Sequence, residues 1–262
     1  MKNMRLLAFR CIKRTVHHQS TQKTDQMTND QIQKLISYCK PTQEVLKAIL
    51  TGELQTRGKE TIVNDGFLYS PGTHPILLIA HLDTVHEEPR GMPTDINIDY
   101  SDSPGGVLSC TEGIGGDDRA GVYIIMEIIK SIDCHVLFCE DEEKHGIGAE
   151  KFCETDVRPD VQFIVEFDRR DRDHAVFYNC HNKDFCDFVT SFGFNKKTGS
   201  FSDISVIAKH LEIAAVNLSS GYYNAHNPNE YIVLDDIDSI IERAIPLIAD
   251  VSKKYEYVEH HY

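Results

Sequence analysis

Five side chains able to ligate a metal, His81, Asp117, Glu143, Asp168 and His226, each follow an apolar run or stand where a helix is expected to begin. A mixed set of imidazole and carboxylate donors without a thiolate suits a pair of borderline divalent ions. Zinc is the first expectation, with Co2+ or Mn2+ as alternatives, and positions stay open for water and substrate. The chemistry such a centre supports is hydrolysis by an activated water. Two further carboxylates fit that chemistry. Asp83, two residues beyond His81, can accept the second imidazole N–H and fix its tautomer. Glu142 stands beside Glu143, and adjacent carboxylates repel one another unless a cation relieves them. One of the two can then coordinate a cation while its neighbour, aimed at the metal-bound water, acts as general base and then general acid.

These residues can meet only if the fold gathers them. In open α/β sheets the ligand crevice forms beyond the carboxyl ends of the strands. The run 75–80 delivers His81, 135–139 leads to Glu142 and Glu143, 161–165 leads to Asp168, and 211–216 opens into the loop carrying His226. Gly115 to Gly121 precede the apolar stretch 122–129, which places Asp117 at a helix start, where the macrodipole favours an acid. Helix 119–131, strand 135–140, helix 148–154 and strand 161–167 alternate, which predicts a three-layer α/β/α architecture around a mixed, mainly parallel sheet. Before them, 31–38 and 44–50 read as amphipathic helices separated at Pro41, and 61–70 as extended chain with a hairpin turn at Asn64-Asp65-Gly66. The proline- and glycine-rich stretch 87–113 reads as loop and short edge strands beside a cleft. Further on, the pattern predicts a strand at 176–180, helices at 182–192 (opened by Asn182) and 202–209, and a last helix over 235–253 kinked at Pro246.

Charge narrows the partners. The formal charge is −14, but residues 1–26 carry six Lys or Arg against one Asp, so the remainder carries −19 (−14 minus +5). Nucleic acid is excluded as a partner of so acidic a body, and no apolar run is long enough to span a membrane. Eight cysteines without a C-x-x-C pair, several inside apolar runs, read as reduced buried thiols of a cytoplasmic protein. The basic segment 1–26 reads as a disordered extension, with an organellar presequence as the alternative.

Each motif alone is weak. Most H-x-D triplets end strands, most D-E-E triplets are acidic surface turns, and a glycine-rich turn into a helix can hold phosphate. Here two consecutive aspartates would repel a phosphate. Arg169 and Arg170 can bind a substrate carboxylate bidentately or pair with Asp171 and Asp173 at the surface. His86 and His181 are the other candidates for reaching the cleft; His74, His135, His145 and His174 read as structural or exposed.

Taken in order, H-x-D-T-V from His81, G-x-D-D-R-A-G from Gly115, D-E-E from Asp141, the strand-end Asp168 and A-H-N-P-x-E-Y from Ala225 resemble the co-catalytic zinc exopeptidase superfamily. That grouping includes peptidase T, glutamate carboxypeptidase, acetylornithine deacetylase and the tetrahedral aminopeptidases, and the resemblance runs from about residue 30 to 251. It implies that Asp117 bridges two metals, that His81 and Asp168 hold one and Glu143 and His226 the other. It also implies that Asp83 orients His81, that Glu142 is the base, and that the Asp117–Asp118 peptide is cis. The chain departs from many members in leaving no room between Asp168 and His226 for a lid domain, so residues 27–262 are expected to form one lidless catalytic domain. The second departure is Arg169-Arg170, where small residues are common. The implied activity is exopeptidase action on short peptides, aminopeptidase before carboxypeptidase. Alternatives are an N-acyl amino acid deacylase and an inactive binding protein on a peptidase scaffold. The expected partner is a small peptide or acyl-amino acid, and oligomeric state is left open.

Overall fold

The computed structural model describes residues 26–87 and 91–259. The basic segment 1–26 therefore lies outside the described residues, Gln26 excepted. The chain opens with α1 (Asn29–Cys39) and α2 (Gln43–Thr56), followed by the hairpin β1 (Ile62–Asn64) and β2 (Phe67–Ser70). Thr28 and Gln31 close a reciprocal cap at the start of α1. The hairpin turns through Asp65 and Gly66 as its sequence predicts, with Gly66 at φ 100. Then come β3 (His74–His81), β4 (Asn97–Asp99), β5 (Val107–Ser109), α3 (Gly116–Ile128), β6 (Cys134–Cys139), a 3-10 turn over Glu142–Lys144 and α4 (Ile147–Cys153). The second half holds β7 (Phe163–Arg169), β8 (His174–Val176), α5 (Lys183–Thr190), β9 (Asn195–Lys197), α6 (Ile204–Leu211), β10 (Ala215–Ser219), β11 (Tyr222–Tyr223), β12 (Tyr231–Val233) and α7 (Leu234–Ala249).

Eight strands form the main sheet in the order β1-β2-β6-β3-β7-β10-β8-β9. The central pairs β6–β3, β3–β7 and β7–β10 are parallel, whereas β2 and β8 join them antiparallel. Central parallel strands are covered on both faces and so read as unbroken apolar runs; Ile76 to Ala80 are all fully buried. Alternate residues serve opposite layers. Leu78, Ala80, Phe138, Val165 and Phe167 pack with α1, α3 and α7, while Leu77, Ile79, Leu137, Ile164 and Ala215 pack with α4 and α6. The expected three-layer α/β/α arrangement with a mixed, mostly parallel sheet is what the chain adopts. Residues 169–225 add β8, α5, β9, α6, β10 and β11 to this body.

Several boundaries differ from expectation, each for a local reason. The strand expected at 211–216 is instead Ala215–Ser219, because Leu211 finishes α6 and Glu212 turns left-handed at φ 58. An apolar run does not by itself separate a helix end from a strand start. The strand expected at 176–180 lies at His174–Val176, and α2 extends six residues past Leu50, straight through Gly52. The 87–113 stretch contributes β4 and β5 to a separate antiparallel sheet, ordered β11-β12-β5-β4. Asn182 does open α5, its side chain accepting the Phe185 N–H at 3.1 Å. Among the described residues seven cysteines are unpaired, six of them buried, and no helix is long and apolar enough to cross a membrane.

Candidate metal centre

The carboxyl ends of β3, β6 and β7 converge with the start of α3 and the loop after β11, and the five ligand-capable side chains arrive there together. His81 closes β3, fully buried, and its Nε2 lies 3.1 Å from Asp117 Oδ1 and 3.3 Å from Asp168 Oδ1. The other oxygen of Asp117 lies 3.2 Å from Nε2 of His226, which in turn is 2.8 Å from Glu143 Oε1. Asp117 thus presents one carboxylate oxygen to each of two triads. In a tetrahedral site with bonds of about 2.05 Å, neighbouring donor atoms stand roughly 3.3 Å apart; three of these four pairs, at 3.1–3.3 Å, are close to that edge, and His226–Glu143 is shorter at 2.8 Å. Glu143 Oε1 is also buried without an aligned hydrogen bond, as befits an atom sharing a centre with His226 rather than bonding to it. The donor set and its spacing fit metal binding.

The supporting contacts explain why these rotamers hold. Asp83 accepts the His81 Nδ1–H at 3.1 Å and the Glu142 N–H at 3.0 Å on one oxygen, and the Glu143 N–H at 3.1 Å on the other. One carboxylate therefore fixes both the first imidazole and the acidic turn after β6. The Asp117–Asp118 peptide is cis, and Asp118 turns inward, its carboxylate accepting the N–H groups of His81 and Gly121 at 3.3 and 3.0 Å. Although Asp118 lies near His81 and Asp168, these bonds commit it to backbone. Gly121 is required here, since a Cβ would stand 1.8 Å from the Phe167 carbonyl oxygen.

Three anchoring residues escape a reading of the sequence. Asn217 on β10 bonds Asp168 from both ends of its amide, accepting the Asp168 N–H at 3.0 Å and donating to Asp168 Oδ2 at 3.2 Å. A polar residue inside the apolar run 214–218 was the available signal. Tyr222 donates to the Asp168 carbonyl at 3.1 Å. Glu230, fully buried, accepts the N–H groups of Gly115 and Asp117 at 2.9 and 3.0 Å and pairs with His86 Nε2 at 2.8 Å. It belongs to the A-H-N-P-x-E-Y motif, yet sequence alone assigns it no task.

Burial and mutual charge set the electrostatics of these groups. Burial opposes a charged His81, but hydrogen bonds to Asp117, Asp168 and Asp83 outweigh it and raise the imidazole well above its ordinary pKa. The Asp117 and Glu143 carboxylates push His226 up to about 10. Burial likewise resists ionisation of Asp117, and the approach of His226 and His81 overcomes it, holding that carboxyl below the usual range. For Glu142 burial prevails over the favourable charge of His81 and, with Asp168 adding repulsion, lifts it to about 9. Burial also raises Asp168, to about 7, against its bond with His81. So many acids crowded in one buried place are a demand for positive charge.

A cleft of about 480 Å³ opens directly on this cluster, with Asp117, Glu142, Glu143, Asp168 and His226 in its wall. Arg169 and Arg170 line it too. His86 does not: it is 2% exposed and held behind the cluster by Glu230, because the turn after β3 folds its side chain under Gly113 rather than toward solvent. His181 lies in a neighbouring cavity instead, beyond Tyr178 and Phe201. His145, read from sequence as structural or exposed, is exposed and lines the metal cleft.

No protein-family model matches the chain, and no curated sequence matches it significantly. Solved structures do. The chain is similar to aminopeptidase PepT from Bacillus cereus with a TM-score of 0.65 and 16% identity, the match covering 85% of this chain and 98% of that one. The TET1 peptidase of Pyrococcus horikoshii superposes with a TM-score of 0.63 and 15% identity over 84% of this chain and 100% of its own. Glutaminyl cyclase of Porphyromonas gingivalis follows at 0.55 and 14% identity, covering 84% and 95%. A putative zinc-dependent exopeptidase from Bacteroides vulgatus shares the same architecture. Sharing this architecture with structures of differing reactions, the chain has the fold of the zinc exopeptidases.

Proposed function

We propose that the protein is a two-cation peptidase that trims short peptides from an end, with the amino terminus as the favoured end. The observation that carries this reading is the division of the Asp117 oxygens between a His81–Asp168 triad and a Glu143–His226 triad. When bound, a pair of divalent cations, zinc before Co2+ or Mn2+, polarises a carbonyl and lowers the pKa of a coordinated water toward about 7. The remaining work belongs to the chain. Glu142 takes a proton from the attacking water and returns it to the leaving amine, a role supported by its position in the cleft wall and by its backbone bond to Asp83. Ionisation of Glu142 is restored by the positive charge that the surrounding donors are arranged to hold. Asp83 keeps His81 in the tautomer whose Nε2 faces the centre, and Asn217 keeps Asp168 beside it.

The test is direct. Purified protein, with and without chelator, is assayed against free-amino dipeptides, amino-blocked dipeptides and acetylated amino acids, with elemental analysis alongside. The expected result is about two divalent ions per chain and chelator-sensitive release from free-amino peptides. Hydrolysis of acetylated amino acids alone would select the deacylase; a chain that retains no divalent ion would sink both readings.

A further inference from the structure

We infer that the cleft binds its peptide by a carboxylate on the leaving-group side, held by Arg169 and Arg170; this deepens the peptidase reading and rests on it.

Ten lysines among the described residues hold a carboxylate oxygen. The other three described lysines and all seven described arginines form no ion pair, so what sets Arg169 and Arg170 apart is their place in the wall of the cleft. Neither Arg169 nor Arg170 forms an ion pair with any described residue, although Asp171 and Asp173 follow at once in sequence. Those aspartates turn instead toward His174, at 3.5 and 3.9 Å, and Asp173 also accepts the Asn195 side-chain amide at 2.8 Å. Surface pairing, the alternative reading of these arginines, is therefore not what they do.

Arg169 is half-buried. Its Nε is shielded from solvent with no acceptor, and its Nη2 has only the Thr198 carbonyl at 3.4 Å. A half-buried guanidinium whose Nε is shielded from solvent without an acceptor, next in sequence to a metal-ligand candidate, can take an anion. A carboxylate is the anion whose two oxygens match the guanidinium fork. The Thr198 contact also points Arg169 toward a second cavity of about 320 Å³, which shares Tyr178, Ser200 and Phe201 with the first and is lined by Lys196 and Lys197. Those lysines likewise form no ion pair among the described residues. The positive lining thus begins at the cation centre and continues away from it, so a dipeptide's terminal carboxylate meets the arginines first, and an acidic side chain in a longer peptide can meet them in its place.

The binding test uses a dipeptide analogue whose scissile amide is reduced to CH2–NH, prepared as free acid and as carboxamide, titrated calorimetrically into the metal-loaded protein. The free acid should bind ten- to a hundredfold more tightly than the amide, the range for a hydrogen bond to a charged group. R170Q, at an exposed position, should narrow that ratio, and R169Q/R170Q should abolish it while metal content stays at the wild-type level. A third ligand, the carboxamide with a glutamate side chain at its second residue, identifies the source: tightening of this ligand assigns a side-chain carboxylate, and none assigns the terminal one. Equal affinity of wild type for all three ligands, with metal bound, overturns the proposal. Loss of hydrolysis with the acid preference intact would instead count against the peptidase reading, so the two failures are distinguishable.

Discussion

Replacing Asp83 by Asn tests whether the cluster is assembled by one carboxylate. Asp83 is 5% exposed and its two oxygens receive three N–H donors, from His81, Glu142 and Glu143. An asparagine keeps a single acceptor. If the amide oxygen stays with His81 and Glu142, the NH2 faces the Glu143 N–H, so one bond to a charged group is lost and a donor meets a donor. A bond of that kind contributes about 1.5–3 kcal/mol. In a chain of this size each kcal/mol shifts Tm by roughly 2–4 °C, so the metal-free variant should melt about 3–12 °C lower. The negative charge that makes His81 a good ligand is lost as well, and removal of such a partner typically weakens metal affinity about 10- to 100-fold. Competition against a chromophoric chelator reads the affinity; calorimetry in excess chelator reads the fold. Unchanged affinity together with an unchanged Tm would refute the claim that Asp83 organises the site. A lower Tm with full affinity would confine its role to the turn.

Other perturbations address the remaining parts. Glu142→Gln should leave metal content and Tm near wild type while turnover falls about 10²–10⁴-fold, the range for a lost general base; a variant with near-full activity removes Glu142 from the mechanism. Metal uptake should be pH-dependent with a definite sign. The folded pKa of His226 is raised to about 10 from 6.5 by Asp117 and Glu143, so its contribution to the stability of the metal-free protein is complete below about pH 6.5 and fades as pH climbs toward 10. A cation must displace that proton, hence affinity rises with pH across this window and binding releases protons; calorimetry in buffers of different ionisation enthalpy counts them, and zero release would contradict the assignment. Glu230→Gln leaves one acceptor oxygen for Gly115, Asp117 and His86, and should lower stability by about 1–3 kcal/mol with weakened metal binding through a displaced Asp117. Denaturant unfolding and chelator competition measure the two effects, and the idea fails if neither moves.

The likeness to structures that include a glutaminyl cyclase as well as peptidases makes the fold a poor guide to reaction. What discriminates is local: the arginines in the cleft wall, the position of Glu142 and the division of Asp117 between two triads. Each is open to a measurement that does not depend on the resemblance.

Sequence by itself determined the layer architecture and pointed to the candidate donors. Strands buried on both faces must be apolar throughout, so β3, β6 and β7 stand out, and a polar residue just past such a strand is conspicuous because the crevice of this architecture opens there. His81, Glu143 and Asp168 were legible for that reason, and Asp117 from its place at a helix start. The limits are equally physical. Helix-to-strand boundaries such as Leu211–Ala215 depend on which hydrogen bonds the neighbouring strands offer, which no local pattern encodes. His86 and Glu230 are 144 residues apart, and only packing reveals that the two bond one another behind the site instead of lining it. Asn217 becomes a partner of Asp168 through the register of β10 on β7, and only the folded chain shows that Asp171 and Asp173 turn toward His174 rather than toward Arg169 and Arg170. Long-range pairing of polar groups is decided by geometry at a few ångströms, and that scale exists only in the folded chain.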